Sequence, residues 1–259
     1  MRHDPRVLLP ADDVGTGPPV VLLHAGVADR GMWAELLPSV AAAGYRAIAV
    51  DLPGHGDAAP GHAPHSAVLD TMDALDVERT ALVGNSFGGA VALRVAAVAP
   101  DRVTALALVS APAPGVDPSA ELEAAWEAEE SALERGDIEG AVAAVVDTWT
   151  LPDSPASLRG RIAEMQRRSI DWQAGAGDAP PLDDPLEPDS SALSTLSIPA
   201  LVAVGEFDMP DFHLGAEALT QQLPQARLVV IPHAGHLAPL EQPEAFRQLV
   251  LDFLRSVAA

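Results

Sequence analysis

Short, largely apolar runs, unbroken at residues 20–23, alternate along the chain with stretches that read as helices. The runs are Val20-Val21-Leu22-Leu23, Tyr45 to Val50, Thr80-Ala81-Leu82-Val83, Val103 to Val109, Ala200 to Val204 and Ala226 to Ile231. Continuous apolar strands suit a parallel sheet covered on both sides, because neither face meets water. Between them, Met32 to Ala43, Ser66 to Asp76, the residues after Gly89, Leu214 to Leu223 and Pro243 to Val257 read as helices. Gly44 closes the first, and Pro243 suits the first turn of the last. Strands alternating with helices predict an α/β domain with a mostly parallel central sheet, helices on both faces and right-handed crossovers. The alternation stops from Ala111 to about Leu193. There Glu121 to Leu133, Ile138 to Trp149 and Ser157 to Trp172 look helical, and Gly175 to Pro188, rich in Gly, Pro and Asp, reads as a loop. The expected organisation is an α/β core over residues 1–111, a helical lid over 112–194 and the rest of the core over 195–259.

Composition narrows this picture in three ways. The chain has 259 residues and is 48% hydrophobic, enough for one large domain with an insertion. It contains no cysteine, which excludes disulfides and thiolate metal sites and allows a reducing compartment. The formal charge is −22, and every basic residue is an arginine. Such a surface disfavours nucleic acid and anionic membranes and favours solubility. The apolar stretch near the start, Val7-Leu8-Leu9, is too short for a signal peptide, and no run is long enough to span a bilayer. The expectation is a cytoplasmic protein acting on a small molecule, with no nucleic-acid or membrane partner. Composition leaves the oligomeric state open.

The chemistry gathers where the strands end. After Thr80-Ala81-Leu82-Val83 comes Gly84-Asn85-Ser86-Phe87-Gly88-Gly89, and then a helix. A strand that turns sharply into a helix lifts the middle side chain, Ser86, off the sheet edge, and the flanking glycines remove atoms that would clash there. The helix begins directly behind Ser86, so its unpaired N–H groups favour negative charge at that point. In an open α/β sheet ligands bind beyond the carboxyl ends of the strands, where His24, Ser86, Asp208 and His236 fall. An alcohol needs an imidazole to take its proton, and the imidazole needs a carboxylate to fix its tautomer. Ser86, Asp208 and His236 supply the three groups in the order Ser, Asp, His. Asp211 is a rival for the acid and His233 for the base. His24 and His55 read as structural, bonding loop backbone. His62 with His65, and His233 with His236, are spaced like metal pairs, but neither has a third ligand or a clear helix, so no metal or other cofactor is expected.

Five segments together resemble the α/β-hydrolase fold family, in its lid-bearing serine hydrolase branch. They are Leu22-Leu23-His24-Ala25-Gly26, Asp51-Leu52-Pro53-Gly54-His55-Gly56, Gly84-Asn85-Ser86-Phe87-Gly88-Gly89, Gly205-Glu206-Phe207-Asp208 and Ala234-Gly235-His236. The resemblance covers nearly the whole chain. It implies Ser86 as nucleophile, Asp208 as acid and His236 as base, with the Phe87 backbone N–H as one oxyanion donor. The second donor comes from the turn after His24 and maps to Gly26. Ala25 stands where the family has glycine, which leaves Ala25 and Val27 as alternatives. Trp126, Trp149 and Trp172, in the insertion, and Leu237, after the catalytic histidine, are candidates for the substrate pocket.

The implied reaction is acyl transfer to water from an ester, lactone or related bond of a small, largely apolar substrate, through an acyl-enzyme. A serine nucleophile argues against the dehalogenase and epoxide hydrolase branches, which use aspartate there. Carbon–carbon bond hydrolases share Gly-Asn-Ser-x-Gly-Gly but carry tryptophan where this chain has Leu237, and they are the runner-up. Cofactor-free perhydrolases and lyases use the same three residues. A small-molecule receptor built on the fold is the non-enzyme alternative.

Overall fold

The computed structural model describes residues 7–176, 184–187 and 189–258. The expected loop at Gly175 to Pro188 lies mostly outside the described residues. A seven-stranded sheet has the order β1-β3-β2-β4-β5-β6-β7. Its strands are β1 (Ala11–Val14), β2 (Pro19–Leu23), β3 (Arg46–Val50), β4 (Thr80–Asn85), β5 (Val103–Val109), β6 (Ala200–Gly205) and β7 (Ala226–Ile231). All pairings are parallel except β1 against β3. Every residue of β4 and of β6 is buried. Successive side chains point to opposite faces, so both faces are covered at these strands.

The helices are α1 (Leu37–Ala42), α2 (Pro64–Ala74), α3 (Phe87–Val98), α4 (Ala120–Glu134), α5 (Ile138–Trp149), α6 (Ala156–Ala176), α7 (Pro210–Gln222), α8 (Ala238–Glu241) and α9 (Pro243–Val257). α3 packs on β2, β4 and β5, α7 on β6 and β7, and α9 on β5. Two expectations need correction. The helix expected over Met32 to Ala43 is a 3-10 turn at Arg30–Trp33 followed by the short α1. The Asp29 side chain caps that turn, and Trp33 is buried against Phe246, which holds the turn in place. β1 was not expected. Its Ala-Asp-Asp-Val sequence has no apolar run because it is an exposed edge strand.

Between β5 and β6 the chain forms α4, α5 and α6. Contacts at both ends of this segment fix it to the core. Asp211, at the start of α7, accepts hydrogen bonds from Ser119 N–H (2.6 Å) and Ser119 Oγ–H (2.8 Å), and the Ser119 hydroxyl in turn caps α4 through Leu122 N–H. On α6, Arg168 bridges Asp29 and Asp57, Ser169 Oγ donates to Gly54 O, and Trp172 Nε1 donates to Gly56 O. α6 is thereby tied to the loops that follow β2 and β3.

Candidate active site

The β4–α3 junction shows why the sequence needs glycine around Ser86. Ser86 sits at φ 52° and ψ −116°, outside the regions that L-residues favour, at a cost of about 1–3 kcal/mol. A Cβ on Gly84 would collide with the Gly88 backbone, and one on Gly88 with the Leu23 carbonyl. Ser86 N–H donates to Val109 O at 2.8 Å, which keeps the strained residue in register with β5. Asn85, fully buried, donates from Nδ2 both to Val109 O and to His236 O, each at 3.1 Å. One side chain thus joins the end of β4 to the loop that carries His236.

That loop follows β7, beside the turn that follows β6. Phe207 N–H donates to Ala234 O at 2.8 Å, and any Cβ on Gly205 would strike the Gly235 carbonyl. The two turns therefore lie against each other and bring their side chains together. His236 Nδ1 is 3.0 Å from Asp208 Oδ1 and 3.2 Å from Oδ2, and Met209 N–H also donates to Asp208 Oδ1 at 2.9 Å. The Asp208 carboxylate is completely buried. With Nδ1 facing a carboxylate, the proton of neutral His236 belongs on Nδ1 and Nε2 is left as acceptor. The His236 ring is wedged between Trp149 and Phe212, with centroids 4.5 and 4.2 Å away.

The rivals are engaged elsewhere. The His233 side chain is 79% exposed and faces Glu206 at 3.9 Å. Asp211 binds Ser119. Burial works to raise its carboxyl, but the Ser119 backbone and hydroxyl donors hold it below the ordinary carboxylate range.

At the turn after β2, Ala25 N–H points to Met32 Sδ at 3.4 Å, which occupies one of the alternative donors. Gly26 adjoins the start of α3, since a Cβ built on it would lie 3.5 Å from Phe87 Cβ. His24 holds this turn. Its Nδ1–H donates to Ala25 O and its Nε2 accepts from Leu52 N–H, each at 2.8 Å. Burial, and to a lesser extent the neighbouring His55, lowers its pKa to about 3, so the ring is neutral. His55 reaches Gly26 O at 2.8 Å and Pro53 O at 3.1 Å.

Ser86 and His236 open onto a cavity of about 640 Å³, together with Gly26, Phe87, Trp126 and Trp149. Two of the candidate pocket residues lie elsewhere. Trp172 is 37% exposed and bonds Gly56 O in the loop after β3, and Leu237 is fully buried in the core. The sequence could not separate them from Trp126 and Trp149, because each sits on an element that borders the site. Of the arginines on α6, Arg159 pairs with Asp147, Arg161 with Gly31 O, Arg167 with Glu139 and Arg168 with Asp29 and Asp57. None of them lines the cavity among the described residues. Nor do the described residues include any group of three or more His, Asp or Glu placed to hold a metal.

Comparison with known proteins decides the family. The family described as alpha/beta hydrolase fold matches residues 18–243. The chain belongs to the α/β-hydrolase fold family. It is 30% identical to a pimeloyl-[acyl-carrier protein] methyl ester esterase of Nitrosomonas europaea, over 91% of this chain and 95% of that protein. It is 32% identical to the dihydrolipoyllysine-residue acetyltransferase component of an acetoin cleaving system from Pseudomonas putida, over 92% of this chain but only 64% of that longer protein. Among solved structures, a thermophilic esterase from Thermogutta terrifontis aligns with a TM-score of 0.79 at 29% identity, covering 97% of this chain and 94% of that one.

This α/β-hydrolase also carries site residues that the sequence did not reveal. Glu241, on α8, accepts from Gly235 N–H at 2.7 Å and from Leu151 N–H at 3.2 Å, tying the His236 loop to the segment after α5. Burial pushes its carboxyl up. Asn85 could have been suspected from its place beside Ser86. Glu241 carries no clear local signal, because the link it makes runs from the nearby His236 loop to Leu151, far away in the chain.

Proposed function

We propose that the chain is a serine hydrolase that cleaves an ester, lactone or related acyl bond of a small, largely apolar substrate. The observation that carries this reading is the buried Asp208–His236 pair beside a strained Ser86 that opens onto the same cavity. In this scheme His236 Nε2 takes the Ser86 hydroxyl proton as Oγ attacks the carbonyl carbon, and Asp208 stabilises the imidazolium. The Phe87 and Gly26 N–H groups receive the developing oxyanion. Collapse of the tetrahedral intermediate expels the alcohol, which takes the proton from His236. Water, activated by the same imidazole, then releases the acid from Ser86. α4, α5 and α6 act as a lid that limits water access and shapes the acyl pocket through Trp126 and Trp149. The esterases among the similar proteins support ester cleavage over the receptor alternative, which has no use for a nucleophile with its base. A small-molecule substrate and a cytoplasmic location fit the acidic surface and the lack of cysteine.

The test is hydrolysis of a short-chain chromogenic ester. Wild-type protein should turn it over, and Ser86→Ala should fold normally and lose activity by at least about a thousandfold. Near wild-type turnover in that variant would remove Ser86 from the mechanism.

A further inference from the structure

A polar pair, Glu129 with Gln166, interrupts the apolar stripe that α4 presents to the cavity. Leu122, Trp126, Glu129 and Leu133 recur at helical spacing on α4, and all four line the cavity. A carboxylate within such a stripe is in an unfavourable place, and burial pushes Glu129 above the ordinary carboxylate range. Gln166 of α6, only 4% exposed, reaches across and donates from Nε2 to Glu129 Oε1 at 2.6 Å. The pair has more acceptors than donors. Gln166 Oε1 is buried without a partner, and half-buried Glu129 meets Gln166 through Oε1. A buried, unpartnered acceptor next to a half-buried carboxylate in an apolar wall calls for a donor from outside the protein. The other charged groups lining the cavity, Asp117, Glu130 and Asp211, are acidic as well, and no arginine lines it.

We propose that Glu129, oriented by Gln166, accepts a hydrogen bond from a donor group on the part of the substrate remote from the scissile carbonyl. The pocket then selects acyl substrates bearing a distal hydroxyl, amide N–H or ammonium over plain alkyl ones, and rejects distal carboxylates. This rests on the serine hydrolase reading and names the substrate class for that site.

The experiment compares chromogenic esters of equal chain length that end in methyl, hydroxyl, ammonium or carboxylate. Each is assayed on wild-type, Glu129→Leu and Glu129→Gln protein, and kcat/KM is read as a ratio to the methyl ester, so that general changes in activity cancel. In wild-type protein the hydroxyl and ammonium ratios should exceed one, and the carboxylate ratio should fall below one. Glu129→Leu should lower the hydroxyl and ammonium ratios by about tenfold, the size of one hydrogen bond. Glu129→Gln, which keeps an acceptor but no charge, should retain much of the hydroxyl preference and lose the ammonium preference. Ratios that do not move in Glu129→Leu, or a carboxylate ester with the highest kcat/KM, would overturn the proposal. Turnover of the methyl ester reports on the serine mechanism separately. Calorimetry of matched alkyl and hydroxyalkyl amides on Ser86→Ala protein reads the same preference without chemistry. There, tighter binding of the hydroxyalkyl amide that disappears in the Ser86→Ala, Glu129→Leu double variant supports the proposal, and equal binding in both backgrounds contradicts it.

Discussion

At the scale of single residues, the site rests on groups that are unstable by themselves and are held by their neighbours. Ser86 keeps positive φ because Gly84 and Gly88 leave room and Val109 holds its N–H. His24 is buried neutral between a donor and an acceptor, which gives a pH prediction. Unfolded, it titrates near 6.5; folded, near 3. Its folded pKa is depressed, so its contribution to stability is complete above about pH 6.5 and is lost as pH falls toward about 3, at up to ~1.4 kcal/mol per pH unit. Urea unfolding of wild-type and His24→Gln protein between these limits should show a shallower acid slope in the variant. Equal slopes would mean that His24 does not stay neutral. Much of this scale was legible in the sequence, because a strained turn demands glycine and a triad demands three residue types in order. Glu129, Gln166 and Glu241 were not legible, since each takes its role from a partner on a different element.

At the scale of elements, two nearby aspartates divide the work. Asp208 follows β6 and faces His236, whereas Asp211 opens α7 and pins the start of α4 through Ser119. Asp208→Ala should therefore lower kcat, by roughly four orders of magnitude if it fixes the tautomer as the triad scheme requires. Asp211→Ala leaves Ser119 without its acceptors and loosens α4, so it should raise KM and lower Tm while costing kcat far less. Steady-state kinetics on the two variants would check this, and a larger kcat loss in Asp211→Ala would reverse the assignment. Helix and strand periodicity exposed most elements, including α5 and α9 at their full extents. β1 escaped because an exposed edge strand needs no apolar run. The Met32 to Ala43 segment misled because its apolar spacing came from Met32 and Trp33 packing as a turn, with Trp33 against α9.

At the scale of the whole molecule, the formal charge of −22 acts on substrates before they reach the cavity. An ester with a distal carboxylate should gain kcat/KM as salt is added, because screening weakens the repulsion, while a matched neutral ester should change little. A salt response equal for both would exclude this long-range effect. The mostly parallel sheet and the placement of Ser86, Asp208 and His236 beyond the carboxyl ends of its strands follow from the alternation of strand and helix, and were legible for that reason. How α4, α5 and α6 settle on the core was not, because their anchors are long-range pairs such as Arg168 with Asp57 and Trp172 with Gly56. The central claim is that Ser86 is a nucleophile activated by His236. Its most direct test is intact-mass and peptide-mapping analysis after exposure to an alkyl fluorophosphonate. A single adduct should form on Ser86, be absent from Ser86→Ala and form far more slowly in His236→Ala. No adduct on the folded wild-type protein, or one on another residue, would contradict it.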